Sequence, residues 1–327
     1  MPASWSPYSL LAPGGRRGKL NVFIFHRVRP APDPLFPWDL DANGFATLLG
    51  FLSRWFNVLP LSEAVARLRN RSLPPAAASL TFDDGYADNL TVALPLLRRY
   101  AMPATVFVAC GYLNGGRMWN DTIIEAIRAC RAAELDLSDD GFPRFLVGTA
   151  EQKRLAIDML LSELKYRPAE ERDRLSVRVA RRARAQLPND LMLTSGQVRE
   201  LRGAGVEIGA HTVSHPILTR TTGPDAEHEI RESKRVLEEL LEAEVPLFAY
   251  PNGQPGKDYG AVHVEMVRHA GFRGAFSTAR GVATDRSDLF ELPRFTPWGR
   301  TPMFALRLAR HLAGGGVRHG QVAGATR

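Results

Sequence analysis

Apolar residues in this chain come in two kinds of run. Short, nearly unbroken runs recur at 20–25, 79–82, 104–109, 206–210 and 246–250, and they are rich in β-branched and aromatic residues. Runs of that length and composition read as buried strands. Gly274-Ala275-Phe276 is a shorter one, Val58-Leu59 shorter still, and 289–295 reads as strand or loop. Between them the apolar residues return every three or four positions, the period of a helix with one buried face. Helices are expected through about 56 behind Asp41, through 68 behind Ser62 and through 100 behind Asp88. Others are expected through 202 behind Ser195, through 243 from Pro224 or Asp225, at 259–270 and at 302–312. Several of these starts carry a side chain able to accept from the first free backbone N–H groups. Strand–helix–strand alternation predicts parallel pairing and an α/β fold.

The pattern changes between 112 and 193. Helices are expected at about 119–132, 150–166 and 170–186, with no buried strand among them. This segment reads as a helical insertion packed at one end of the sheet, within a single domain over 20–313. Residues 1–19, with Pro2, Pro7 and Pro13, and the glycine-rich stretch 314–327 read as flexible tails. A secretory signal puts basic residues ahead of an unbroken apolar stretch. Here Arg16, Arg17 and Lys19 come late and no such stretch exists, so the expected location is cytoplasmic, either free or peripheral to the inner membrane surface.

Composition narrows the classes. No apolar run approaches the ~18 residues of a membrane-spanning helix. Cys110 and Cys130 are the only cysteines, which excludes a disulfide framework and a thiolate zinc site. The formal charge of +7 favours an anionic partner: a polyanionic glycan, lipid phosphates or nucleic acid. Arg178, Arg181, Arg182 and Arg184 form the densest basic cluster, on an expected helix whose plainer reading is a solvated face. Nucleic-acid binding rests on charge alone and is not expected.

The candidate chemistry gathers at strand ends. One apolar run stops at Asp83-Asp84-Gly85-Tyr86. Adjacent carboxylates repel unless a cation is near, and a metal on one would leave the other free as a base. An Asp-Gly turn with an Asx hydrogen bond is the plainer alternative. His211-Thr212-Val213-Ser214-His215 follows another run, and on a helical turn its two imidazoles would face one way and could share a cation. Such pairs also occur on ordinary surfaces. His26 follows the first run and Tyr250-Pro251 a fourth. In α/β barrels the C-terminal edge of the strands carries the active site. Two His and one Asp would leave open positions on a metal, with zinc the default and manganese, cobalt, nickel or iron also compatible.

These residues carry a family resemblance. Thr81-Phe82-Asp83-Asp84-Gly85, His211-Thr212-Val213-Ser214-His215 and Phe248-Ala249-Tyr250-Pro251-Asn252-Gly253 resemble the first, second and third motifs of the polysaccharide deacetylases, the carbohydrate esterase family sharing the nodulation chitooligosaccharide deacetylase domain. The resemblance spans about 20–110 and 194–300. It implies a distorted (β/α) barrel with fewer than eight strands and metal-dependent removal of N-acetyl groups from the amino sugars of a glycan. It also implies Asp83 as general base, Asp84, His211 and His215 as metal ligands, and the Tyr250 backbone N–H at the oxyanion. The arginine many members carry near the start of the third motif is missing, and Arg294 is the candidate replacement to pair with Asp83. The late Leu-x-His motif is not evident, and His311 lies in the wrong context. Phe25-His26-Arg27-Val28 looks like the early histidine motif of a subset of biofilm-polysaccharide deacetylases, which makes His26 the expected acid. Trp298, Trp119 and Tyr86 are candidates to stack on sugars, though packing is the plainer role.

Three rival readings differ in class. A deformylase or other amide hydrolase on a lipid-linked sugar or small molecule is the first, and it is still a hydrolase. A non-haem iron oxygenase also uses two His and one carboxylate, but in a different order. A non-catalytic glycan-binding homologue would not need Asp83, Asp84, His211 and His215 intact. Oligomeric state is not legible.

Overall fold

The computed structural model describes residues 6–297 and 301–314. The elements run α1 (Pro7–Leu11), β1 (Leu20–Phe25), α2 (Ala42–Trp55), β2 (Asn57–Val58), α3 (Leu61–Arg69), β3 (Ala77–Phe82), α4 (Leu94–Arg99), β4 (Thr105–Val108), α5 (Trp119–Ala129), β5 (Glu134–Asp136), β6 (Arg144–Leu146), α6 (Ala150–Leu164), α7 (Ala169–Arg182), α8 (Ser195–Gly203), β7 (Glu207–Ala210), α9 (Gly223–Leu241), β8 (Leu247–Ala249), α10 (Ala261–His269), β9 (Gly274–Phe276) and α11 (Thr301–Ala313).

Six strands form one parallel sheet in the order β1-β3-β4-β7-β8-β9, with β2 added alongside β3. The sheet curls into a distorted barrel of fewer than eight strands. The gap between β9 and β1 is spanned by extended chain at 289–295. Ser277 N–H donates to Leu292 O at 2.9 Å on one side, and Phe295 N–H donates to Val22 O at 2.7 Å on the other. Strands β1, β3 and β4 are buried at every position, which explains why they read as unbroken apolar runs rather than alternating ones. Phe23, Phe45, Leu49, Phe82, Ala210 and Phe248 sit in the main core between sheet and helices. Because all strands run one way, every chain exit at their C-terminal ends lies on the same edge.

Several expected caps are replaced. Asp41 does cap α2, accepting from Gly44 N–H at 2.7 Å. Ser62 does not cap α3: the Glu207 carboxylate, from the distant β7, accepts Leu61 N–H at 2.7 Å and Ser62 N–H at 3.1 Å. Thr194 rather than Ser195 caps α8, in a capping box with Gln197, and Thr222 caps α9. Asp88 precedes one π-helical turn, Asn89–Ala93, and caps nothing, because its carboxylate is taken by Arg27 at 2.7 Å.

Residues 6–19, expected as part of a flexible tail, are folded instead. Ser6 caps α1, and Tyr8 is buried with ring centroids 5.0 Å from Phe56 and 5.7 Å from Phe51. The expected tail beyond Gly314 lies outside the described residues. In 112–193 the three expected helices are present, together with a short antiparallel pair, β5–β6, that was not expected. Its strands have three residues and bury only Leu135 and Phe145, too few for a periodic signal. Around Ile127, Leu160, Leu164, Leu175 and Val179 this segment has its own core, joined by Leu35 and Phe36 of the loop after β1.

Candidate active site

The chain leaves β3 at Asp83 and Asp84, both buried. Asp83 is clamped by Arg294, with Nη1 to Oδ1 at 2.7 Å and Nη2 to Oδ2 at 2.8 Å. Arg294 is itself fully enclosed and its Nε donates to Ser277 O at 3.0 Å. The closing segment thus brings the arginine across the barrel to the place expected of it. Burial alone would raise the Asp83 pKa, but Arg294 outweighs it and holds the carboxyl below its ordinary value.

Asp84 adopts φ +75° and Gly85 φ +84°, which turns the chain sharply off the strand. Asp84 Oδ1 faces the Nε2 atoms of both His211 and His215, each at 3.4 Å. Two ligands about 2.0–2.1 Å from one tetrahedral ion stand roughly 3.3 Å apart, so this spacing fits a shared cation. Ligand atoms of Asp84, His211 and His215 all lie within 4.8 Å of one another. Asp84 Oδ1 is buried with no hydrogen-bond partner, a costly state for a carboxylate oxygen unless a cation satisfies it.

The histidines converge, though not on a helical turn. Thr212 has φ +63° and His215 φ +53°, and residues 211–216 form no helix. His211 Nδ1 lies 2.7 Å from Ala249 O. A carbonyl only accepts, so Nδ1 carries a proton and Nε2 is the ring nitrogen turned toward Asp84. The loop between the histidines is held by Glu229 of α9. Its carboxylate accepts Val213 N–H and Ser214 N–H, both at 2.8 Å, and Ser214 Oγ–H at 2.6 Å. Burial lowers the His215 pKa to about 4, so its ring is neutral, as a ligand requires. Burial opposes the His211 charge, but Asp83 and Asp84 more than offset it and raise that pKa. His211 beside it holds the Asp84 carboxyl well below its ordinary value against its burial.

His26 is exposed, one residue past β1. Among the described residues its ring makes no hydrogen bond, and it stands near enough to Asp83, Asp84 and His215 to act on them electrostatically. Its backbone is pinned, since Asn89 Nδ2 donates to His26 O at 2.9 Å. His311 lies on α11, its ring 4.4 Å from Phe295, and burial lowers its pKa to about 4.

Two expectations are corrected. The Tyr250 N–H is not free: it donates to Phe276 O at 3.1 Å, continuing the β8–β9 ladder. Tyr86 is not open to a sugar: it is buried, the Arg27 guanidinium covers one ring face at 4.6 Å, and its hydroxyl donates to Asp121 at 3.0 Å. One face of Trp119 is likewise covered, by Arg172 at 5.1 Å. Trp298 lies outside the described residues. Glu229 and Asp121 had no signal in the sequence, since each is one carboxylate among several on a charged helix.

A curled parallel barrel with an Asp-His-His cluster and a second, arginine-clamped carboxylate on its C-terminal edge defines a hydrolase-type site. The sequence model of the polysaccharide deacetylase family matches residues 70–134 and 175–275, and the chain belongs to that family. It is an enzyme of the glycan N-deacetylase class. The Bacillus subtilis (strain 168) protein YxkH, named for the same family, is 19% identical over 285 residues, 84% of this chain and 70% of that protein. Among solved structures, the Streptococcus pyogenes deacetylase PplD in complex with acetate superposes with a TM-score of 0.60 at 19% identity, covering 88% of this chain and 97% of that one. IcaB from Ammonifex degensii gives 0.58 at 20% identity, covering 92% and 98%. At this identity the superpositions speak for the fold alone.

Proposed function

We propose that the protein is a metal-dependent deacetylase that hydrolyses N-acetyl groups on amino sugars of an oligosaccharide, polysaccharide or lipid-linked glycan. The observation that carries this reading is the orphaned Asp84 oxygen between two histidine nitrogens, beside a carboxylate that Arg294 keeps ionised. Asp84, His211 and His215 would hold a divalent cation, zinc by default, which supplies polarisation of the acetamide carbonyl and acidification of water.

The remaining chemistry belongs to the chain. Asp83, ionised and fixed in orientation, takes the proton of the attacking water. A backbone N–H is needed where negative charge builds on the carbonyl oxygen. Tyr250 has none to give and Pro251 has no N–H. Gly253 N–H donates to Pro251 O, and the Asn252 N–H, without an acceptor among the described residues, is the donor this reading assigns in its place. Asn252 has φ +59°, a strained conformation of the sort found at functional sites. An expelled amine anion is too basic to leave unaided, and His26, its ring unengaged, supplies the proton.

The test is acetate release from N-acetylated oligosaccharides and lipid-linked amino sugars by protein stripped of metal and then reloaded. Acetate is expected only from the reloaded protein. Formate from an N-formyl sugar with no acetate from any acetamide would move the activity to deformylation, and glycan binding without release would mark a non-catalytic homologue.

A further inference from the structure

The formal charge of +7 is not spread over the chain. Residues 1–19 and 295–327 hold eight Lys and Arg and no Asp or Glu, while the whole chain holds 42 and 35. The body between them is therefore close to neutral, with 34 basic and 35 acidic residues. The fold brings the described parts of these segments, 6–19 and 301–314, together, and with them five of the eight cations, Arg16, Arg17, Lys19, Arg307 and Arg310. α1 packs on α11, Lys19 Nζ donates to Leu312 O at 2.5 Å, and Tyr8, Phe304, Leu308 and Leu312 enter one core cluster. With their inner stripes sharing a core, the outer stripes of both helices face solvent together. Along α11 that stripe is Met303, Leu306, Arg307 and Arg310, at helical spacing and all exposed. Leu10 is 78% exposed, Met303 57% and Leu306 47%, and Arg16 and Arg17 are exposed in the turn after α1.

We propose that the α1–α11 face is a docking surface for an anionic lipid bilayer. Cations set among large exposed apolar side chains match a headgroup layer above acyl chains, which attracts the arginines and receives Leu10, Met303 and Leu306. A polyanion such as nucleic acid needs the charge and has no use for the leucines. The basic cluster of α7 does not compete for this role, because Arg178 pairs with Asp140 and Arg182 with Asp139 at 2.6 Å. In the sequence α11 begins seven residues after Arg294. The proposal does not depend on deacetylation, since it is read by binding alone.

The full chain would be sedimented with phosphatidylcholine vesicles with and without phosphatidylglycerol, across a salt series. It should partition onto the anionic vesicles at low salt, leave them as salt rises, and bind neutral vesicles far less. Arg307→Glu with Arg310→Glu should cut partitioning by about 10–100-fold. Met303→Ser with Leu306→Ser should weaken it at every salt concentration while keeping the salt slope. Neither pair should alter metal content or hydrolysis of a soluble oligosaccharide. Absence of binding to anionic vesicles at low salt, or binding that both pairs leave unchanged, overturns the proposal. Heparin binding lost in the arginine pair, with no vesicle binding by the wild type, overturns it in favour of a polyanion surface.

Discussion

Arg294 shows what one buried side chain decides. It sits in a segment of indefinite secondary structure, yet it forks both oxygens of the buried Asp83 carboxylate. Removing one member of a buried ion pair leaves the other charge uncompensated, so Arg294→Gln should lower unfolding free energy by about 3–5 kcal/mol, read from the urea midpoint. A shift below ~1 kcal/mol would mean that the pair is not buried as described. Asp121 makes a different prediction. Burial, with Asp84 and Glu125 adding to it, raises its pKa from the ordinary carboxylate range to about 7. A carboxyl raised on folding is fully stabilising below its unfolded pKa, and that stability is lost as pH rises through the folded value. Asp121→Asn, which keeps an acceptor for the Tyr86 hydroxyl, should therefore gain on wild type by roughly 2–3 kcal/mol between pH 5 and pH 8 in metal-free protein. A stability difference that does not change with pH contradicts the assignment.

At the scale of elements, the site is a set of strand exits held by neighbours. β3 supplies Asp83 and Asp84, β7 supplies His211, and α9 holds the loop to His215 through Glu229. Partners behind metal ligands are typically worth 10–100-fold in affinity. Glu229→Gln should weaken zinc binding by about that factor, measured with a competing chelator, while the far-UV spectrum stays unchanged. Unaltered affinity would make Glu229 a packing residue. The strand ends were legible because these buried parallel strands are mostly apolar, so Asp83, His211 and His26 stand out as titratable residues just past their ends. The convergence of the histidines was legible as a pair but not as a shape: positive φ at Thr212 and His215 replaces the helical turn that the spacing suggested. Long-range partners left no trace. Glu207 capping α3 and Phe276 accepting from Tyr250 are products of the sheet order, which local pattern does not carry.

At the scale of the molecule, the alternation of apolar runs was enough to expect a parallel α/β sheet, the family resemblance implied the distorted barrel, and the closure of that barrel by 289–295 was not expected. The folded segment 6–19 was missed because Tyr8 and Ala12 find their partners on α11 and around Phe51 and Phe56, far along the chain. The helical insertion reaches the site through Asp121, which takes the Tyr86 hydroxyl two residues past Asp84. On the proposed function two adjacent carboxylates divide the labour, with Asp84 binding metal and Asp83 moving the proton. The most direct measurement is metal content alongside acetate release for Asp83→Asn and Asp84→Asn. Asp83→Asn should retain its metal while turnover falls by about 10²–10⁴, and Asp84→Asn should lose both. Metal lost from Asp83→Asn together with its activity would contradict the account.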